Sequence, residues 1–284
     1  MHLIHSPEFK RAPLQAVWKR LRWRVRWLLK RDPWVLPLGE GTEIAVPSSG
    51  AGALIYYQGL SEPPTAQLVQ QCLKLGMVFM DVGAHIGEYT LLGSKLVGYR
   101  GEVHAFEPNP EIFPLLCSNV ERNHLDNVVL RNFAVSNQDG ESEFEAHREP
   151  SVSALRPTGR SSGRHKEAQA RVYCVTTTQL DTYWRGRGKM FQLGKVDVEG
   201  AEMLVFLGSR RILALPEGQA PAWIFEYSPE NLARFHYCPS DMFELLWSHG
   251  YTIYRFEAGQ IEQIVPESMS RRRVNLIAAK TPIW

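Results

Sequence analysis

The chain has 284 residues, 44% of them hydrophobic and 22% charged, with a net charge of +2. Length and composition are ordinary for a globular protein with one large α/β domain or two small ones. The four cysteines lie far apart without a C-x-x-C pair, which argues against a disulfide framework or a zinc site. No apolar run is long enough to span a bilayer and no signal-peptide pattern is present, so we expect a cytoplasmic protein.

Basic residues are concentrated at the beginning of the chain. Residues 1–31 hold nine Lys and Arg against Glu8 alone, a charge of +8, so residues 32–284 must carry −6 to give the total of +2. Residues 14–31 repeat apolar residues at helical spacing, with basic residues and tryptophans around the remaining circumference. This pattern predicts a basic amphipathic helix, followed by a linker, over residues 1–37.

Two interpretations of this helix stay open at the level of sequence. One is a peripheral helix on an anionic membrane surface, at the inner membrane face, through residues 14–31. The other is a helix docked on the protein with its arginines in solvent. A nucleic acid partner is not expected, because the rest of the chain is acidic.

Residues 38–76 are predicted to form a small β/helix extension packed on the core. The segments "TEIAVP" and "ALIYYQG" look like a pair of strands, and a helix is expected from Pro64 to Leu75. From residue 77 to 284 short apolar runs alternate with helical segments, which predicts a mainly parallel sheet with helices on both faces. Residues 148–170 interrupt this alternation with Ser, Gly and Arg, so a long flexible loop is expected there.

The segment "VFMDVGAHIG", residues 78–87, stands where the first strand of such a sheet turns into the first helix. A nicotinamide fingerprint requires G-x-G-x-x-G, but His85 stands at the second glycine position and Glu88 at the third. No Lys-Ser/Thr pair follows, which excludes a Walker loop. The turn therefore offers no cradle for phosphate.

Two acids complete this predicted site. Asp81 at the strand end would repel phosphate and attract a cation or hydroxyl donors. Glu107 lies twenty residues after Gly87, at the tip of the next strand, where an acid accepts the hydroxyls of a ribose. S-adenosylmethionine has an amino acid head, a ribose and no phosphate, so it is the cofactor that fits best.

Four motifs in this order, "FMDVGAHIGEYT", "HAFEPNP", "NFAVSNQDG" and "GKVDVEGAE", resemble the FkbM-type S-adenosylmethionine-dependent methyltransferases over about residues 38–280. The resemblance implies a class I methyltransferase (Rossmann-like) fold: a seven-stranded, mainly parallel sheet with helices on both faces and an antiparallel last strand. His85 departs from the family, which usually shows Asn there. The positions predicted to bind the cofactor are Asp81, Gly83, Ala84, His85, Gly87, Thr90, Glu107, Pro108, Ala134, Val135 and Asp197.

Acids also converge at the ends of the fourth and fifth predicted strands, in "KVDVEGAE" and "IFEYSPE". The predicted catalytic residues are Asp197, Glu199 and Glu226; the first two would share one side if the strand stays regular through them. One acid would be the general base for a hydroxyl. One alternative is that these acids bind Mg²⁺, and another is that their role is purely structural. The Mg²⁺ site is less favoured, so we predict no metal ligands. Lys195 is expected to pack or to extend towards solvent.

These observations favour an S-adenosylmethionine-dependent O-methyltransferase that acts on a hydroxyl of a sugar, glycolipid, polysaccharide or similar metabolite. The alternatives are an N-methyltransferase, and a non-catalytic protein that binds S-adenosylmethionine. The segment "DVEGAE" lacks the Asn/Asp-Pro-Pro-aromatic signature of many enzymes that methylate nitrogen. The acceptor and the oligomeric state cannot be read from the sequence.

Overall fold

The computed structural model describes residues 13–29, 33–39, 41–147, 149–157, 170–265 and 273–284. The chain divides into two compact units, Met1–Ser61 and Glu62–Trp284. Among the described residues, no helix combines the length and the apolar character that crossing a membrane requires.

In the part that the structure describes, the smaller unit contains two helices and a hairpin. Helix α1 spans Pro13–Leu28, strands β1 (Trp34–Gly39) and β2 (Thr42–Val46) pair antiparallel, and helix α2 spans Gly50–Gln58. The prediction of a strand for "ALIYYQG" is wrong, since this segment lies in α2. The side chain of Ser49 caps α2 by accepting a hydrogen bond from the N–H of Gly52, and Gly59 ends it at a φ of 86°.

The larger unit begins with helix α3 (Pro63–Cys72), which contacts helix α4 and strand β12 of the same unit. The domain limits drawn from the sequence stay a prediction. Its further strands and helices, in chain order, are β3 (Val78–Val82), α4 (Glu88–Val97), β4 (Glu102–Phe106), α5 (Phe113–Arg122), β5 (Val128–Arg131), β6 (Ala134–Val135), β7 (Gly140–Ala146), β8 (Ala154–Leu155), β9 (Arg171–Thr178), α6 (Leu180–Tyr183), β10 (Leu193–Val196), α7 (Glu202–Leu207), α8 (Arg210–Leu213), β11 (Ala222–Tyr227), α9 (Pro229–Arg234), α10 (Pro239–Ser248), β12 (Thr252–Glu257), β13 (Gln260–Gln263) and β14 (Val274–Ala279).

The central sheet has the strand order β13-β12-β14-β11-β10-β3-β4-β5. Strands β11, β10, β3, β4 and β5 are parallel, and β14 is antiparallel to both of its neighbours, β11 and β12. Every residue of β3, β10 and β11 is buried, as expected for parallel strands covered on both faces. The predicted α/β fold and the antiparallel last strand are confirmed. The sheet has eight strands instead of seven, because β13 adds a hairpin partner to β12.

A second sheet, with the order β6-β9-β7-β8, was not predicted. The sequence did carry a signal for this sheet. Buried and less buried residues alternate at the end of "RVYCVTTT", where Val175 and Thr177 are buried. Part of the predicted loop over 148–170 belongs to this sheet, since β8 pairs antiparallel with β7. Residues 148 and 158–169 of that loop lie outside the described residues.

Candidate active site

The turn after β3 is shaped by its contact with the end of β10. Gly83 has a φ of 85°, and a Cβ atom there would lie 1.9 Å from the carbonyl oxygen of Asp197. The glycine is therefore required by a close approach of two loops of the protein. Its predicted contact with a cofactor stays a prediction. Gly87 has a φ of 95°, and its Cβ would lie 2.6 Å from Leu116 Cδ1, which agrees with tight packing of the first helix turn.

Backbone hydrogen bonds join this turn to the end of β4. The N–H groups of Gly83 and Ala84 both donate to the carbonyl of Phe106, at 3.0 and 2.9 Å. The N–H of His85 donates to Glu107 Oε2 at 2.8 Å. Two of the predicted cofactor positions, the turn and the acid of the second strand, are thus brought together.

His85 has a φ of 51°, in the left-handed region that Asn, Asp and His tolerate better than most residues. This conformation suits His as well as the Asn that the resemblance to the FkbM-type enzymes implies at this position. Burial lowers the pKa of the imidazole to about 4, so the ring is neutral near pH 7. Its Nε2 is buried with no hydrogen-bond partner among the described residues.

Glu107 is buried, and both carboxylate oxygens accept backbone hydrogen bonds. Oε2 accepts from His85, and Oε1 accepts from the N–H of Asn109 at 2.8 Å. Burial raises the pKa of Glu107 to about 7, although these two hydrogen bonds act to lower it. Each oxygen retains acceptor capacity, so the carboxylate can still accept from the hydroxyls of a ribose.

Asp81 is 1% exposed at the end of β3. Its Oδ2 accepts a hydrogen bond of 2.6 Å from the hydroxyl of Thr90, whereas Oδ1 is buried without a partner among the described residues. Burial raises the pKa of this carboxyl, and the charge of Lys195 on the neighbouring strand opposes the rise. An unpartnered buried oxygen fits the ammonium group of an amino acid head.

Three further predicted cofactor positions are Pro108, Ala134 and Val135. Pro108 follows Glu107 and is half-buried, while Ala134 and Val135 form β6 and are buried. β6 pairs in parallel with the end of β9, so the positions expected beside the adenine belong to the second sheet. Their contact with a cofactor stays a prediction.

Asp197 directly follows β10 and forms an ion pair with a buried lysine. Lys195 is 2% exposed, and its Nζ lies 2.9 Å from Asp197 Oδ2 and 4.4 Å from the ring centre of Tyr89. Of the two expectations for Lys195, packing is the one observed, since its side chain is buried over Tyr89 and does not extend to solvent. Burial acts to raise the pKa of Asp197, but the charge and hydrogen bond of Lys195 outweigh it and hold that pKa below its ordinary value.

Glu199 and Glu226 share one guanidinium group. Arg273 donates to both carboxylate oxygens of Glu199, at 2.8 and 3.3 Å, and its Nε contacts Glu226 Oε1. The amide of Asn231 donates to Glu199 at 3.1 Å and lies 3.5 Å from Glu226. Burial raises the pKa of both carboxyls, and the positive charge of Arg273 opposes this.

The three predicted catalytic acids do meet, although the assumed reason is wrong. Strand β10 ends at Val196, before Asp197, and Glu199 has a φ of 54°, so the chain turns between the two acids. One carboxylate oxygen from each of Asp197, Glu199 and Glu226 nevertheless lies within 4.8 Å of the others. The turn after the strand, together with the end of β11, makes this cluster.

The cluster has the donor set of a divalent cation site, but its partners argue against one. Two of the three carboxylates already bind Arg273, so a cation would have to displace the guanidinium. While Arg273 occupies these two carboxylates, the cluster does not fit Mg²⁺.

Two residues of the site could not be found from the sequence. Arg273 lies 74 residues after Glu199, and Asn231 lies 32 residues after it. Neither belongs to a motif, and only the placement of β14 beside β11 and of α9 after β11 brings them to the acids.

Comparison with known proteins places these features in a family. The model of the family "Methyltransferase FkbM domain" matches residues 81–253. The chain is similar to a hexuronic acid methyltransferase, AglP, of Haloferax volcanii, with 31% identity over 137 residues. That match covers 48% of this chain and 51% of the relative, so it spans about half of the relative's length.

Solved structures show more distant likeness. A methyltransferase FkbM from Methylobacillus flagellatus has 14% identity and a TM-score of 0.47, covering 80% of this chain and 54% of that one. An S-adenosylmethionine-dependent O-methyltransferase from Thermotoga maritima has 12% identity and a TM-score of 0.41, covering 91% and 82%. Because these identities and TM-scores are low, the assignment of the chain to a family rests on the match of the family model and on the strand order of the central sheet.

Proposed function

The chain belongs to the FkbM family of S-adenosylmethionine-dependent methyltransferases, and on this premise we propose that it methylates a hydroxyl of a sugar, glycolipid, polysaccharide or similar metabolite. The observation that carries the proposal is the cluster of Asp197, Glu199 and Glu226 at the end of the strands next to the turn at Gly83. The similarity to a hexuronic acid methyltransferase supports a saccharide acceptor.

The predicted cofactor residues pass a test of fit on their own geometry. Asp81 offers a buried oxygen that has no partner in the described part of the chain, which suits an ammonium. Glu107 offers a carboxylate fixed by two backbone N–H groups, which suits a ribose. When bound, S-adenosylmethionine supplies a methyl group on a sulfonium, and its C–S bond breaks with the electron pair going to sulfur. We propose that Asp81 and Glu107 hold the two ends of this molecule.

Asp197 is the acid best suited to take the proton of the acceptor hydroxyl. Its side chain is 23% exposed and is not bound to Arg273, whereas Glu226 is 3% exposed and both glutamates are engaged by that guanidinium. Lys195 keeps Asp197 ionised, and its Nζ fixes the position of Oδ2. We propose that Asp197 accepts the proton while Glu199, Glu226 and Arg273 position the acceptor.

Labelled methyl transfer tests the proposed reaction. The purified protein would be incubated with S-adenosylmethionine carrying a labelled methyl group and a cell extract, with the D197N variant as control. We expect label in saccharide-containing material that resists mild alkali, because an ether survives and a carboxyl methyl ester does not. Volatile label after alkali would indicate an ester, and label in amines would indicate N-methylation; either outcome contradicts the proposal. No label above that of a reaction without the protein would contradict turnover.

Binding of the cofactor product is expected to depend on pH through Glu107. The pKa of this carboxyl is raised to about 7, and ribose hydroxyls donate better to its ionised form. Protonation below this pKa therefore opposes binding, and the Kd for S-adenosylhomocysteine should be roughly tenfold higher at pH 6 than at pH 8. Calorimetry on the wild type and on E107Q measures this; the variant should bind weakly and lose most of the pH dependence. An equal pH dependence in both proteins would remove Glu107 from this role.

Metal removal is expected to leave activity unchanged. Arg273 occupies two of the three carboxylates that a cation would need, so the proposed reaction does not require one. Turnover measured after dialysis against EDTA should stay within about twofold of the untreated protein, since no step depends on a Lewis acid. Loss of turnover that added Mg²⁺ restores would contradict this assignment.

A further inference from the structure

Among the described residues, helix α1 packs on the rest of the smaller unit through one side. Ala16 is buried, and Trp23 and Trp27 are half-buried on the same side. The ring of Trp23 stacks on those of Trp34 and Tyr56, with centroid distances of 5.8 and 5.3 Å. These aromatic contacts fix the helix through the residues that the sequence pattern had placed among the basic ones.

The apolar stripe of the same helix lies about 180° around its axis from these tryptophans, at 3.6 residues per turn. Its residues are exposed, with Leu14 at 85%, Trp18 at 65% and Leu28 at 80%. The exposed stripe consists of Leu14, Val17, Trp18, Leu21, Val25, Leu28 and Leu29. A continuous apolar surface of this kind is uncommon on a free protein and marks a surface that contacts something else.

Positive charge borders the exposed stripe on both sides. Arg22 and Arg24 are exposed and lie at its two edges, and residues 13–28 contain no acidic residue. The guanidinium groups of Arg22 and Arg26 stand over the ring of Trp34, at 5.4 and 5.5 Å. A shallow pocket of about 300 Å³ opens at this edge. It is lined by Trp18, Leu21, Arg22, Val25, Arg26 and Trp34.

We propose that the exposed stripe of α1 binds an anionic lipid surface, with the helix lying in the plane of the interface. Apolar side chains would enter the acyl boundary, Trp18 would sit at the headgroup level, and Arg22 and Arg24 would contact lipid phosphates. The pocket between Arg22, Arg26 and Trp34 offers two positive groups beside apolar walls, which matches an anionic headgroup above its chains. A second copy packed stripe to stripe would bring arginines of both helices together without an acid in either stripe, so lipid is the better partner.

Flotation with vesicles tests this inference on the full chain. The wild type should float with vesicles of phosphatidylcholine and phosphatidylglycerol, and should float far less with phosphatidylcholine alone. Added salt should weaken the binding. Replacing Leu21 and Val25 by Glu should reduce binding to background, and replacing Arg22 and Arg24 by Gln should weaken it about tenfold or more. L75E is the matched control, since Leu75 is an 83% exposed apolar residue of the larger unit, and it should bind as the wild type does.

Two further measurements keep the outcome decisive. Circular dichroism should show that L21E/V25E remains folded, because both residues are exposed. Wild-type protein that fails to float with anionic vesicles would overturn the proposal. The proposal would also be contradicted if light scattering showed that the wild type is a dimer and L21E/V25E a monomer, with flotation unchanged by the substitutions. The exposed stripe would then be the contact between two copies of the chain.

Discussion

Replacement of Asp197 by Asn is expected to lower turnover by about 10²- to 10⁴-fold, the usual contribution of a positioned general base. Asparagine keeps the shape of the side chain and can accept the hydrogen bond of Lys195, but it cannot take up a proton at neutral pH. Initial rates with labelled S-adenosylmethionine, at saturating cofactor, measure the effect. Calorimetry with S-adenosylhomocysteine should show an affinity close to that of the wild type.

The controls for this prediction separate chemistry from stability. D197N leaves Lys195 as a buried charge with a weaker partner, which costs roughly 3 kcal/mol of unfolding free energy. K195M/D197N removes both charges and should regain much of that stability without regaining turnover. E230Q, at an exposed acid of helix α9, should behave as the wild type. If D197N turns over normally, Asp197 is not the base; if it only weakens binding of the cofactor product, the residue belongs to the cofactor site alone.

Replacement of Gly83 by Ala is expected to lower the free energy of unfolding by about 3–4 kcal/mol. Its φ of 85° costs an alanine about 1–2 kcal/mol, and the added Cβ would meet the carbonyl oxygen of Asp197 at 1.9 Å. Backbone on both sides of this contact must shift, because no flexible side chain can move away. The midpoint of thermal unfolding should lie about 6–16 °C lower, at about 2–4 °C for each kcal/mol in a protein of this size.

Gly76 is the matched control for this substitution. Its φ is 80°, close to that of Gly83, but a Cβ there would meet none of the described residues within 4 Å. G76A should therefore show only the cost of the left-handed conformation, about 1–2 kcal/mol. Equal destabilisation of G76A and G83A would mean that the contact with Asp197 contributes nothing, which would contradict the tight approach of the two loops.

Local features of the site could be predicted from the amino-acid sequence alone. The strand, the turn with Asp81 and Gly87, and the acid at Glu107 all follow from spacing within about thirty residues, where strand and helix periods constrain each side chain. Those same spacings excluded a phosphate cradle, and the resemblance of four motifs indicated the family that the match over residues 81–253 confirms. The parallel sheet follows in the same way, because the alternation of strands and helices leaves few topologies open.

Contacts between distant parts of the chain were decided only by the tertiary structure. Arg273 reaches Glu199 and Glu226 because β14 inserts beside β11, and no local pattern records that neighbour. For Gly83, the sequence showed that glycine suits the turn, but the fold shows that Asp197 is the group it makes room for. Such contacts depend on the order of the strands in the sheet, and the periodicity of hydrophobic residues along the chain does not determine that order.

Helix α1 shows most clearly which features the sequence determines and which depend on the tertiary structure. Its period determined that one side is apolar and the rest basic and aromatic, since a helix repeats every 3.6 residues whatever surrounds it. Which side would be covered depended on the rings of Trp34 and Tyr56, which pack on Trp23 and leave the apolar stripe exposed. Periodicity describes the faces of an element, whereas burial depends on the partner that the folded chain brings to each face.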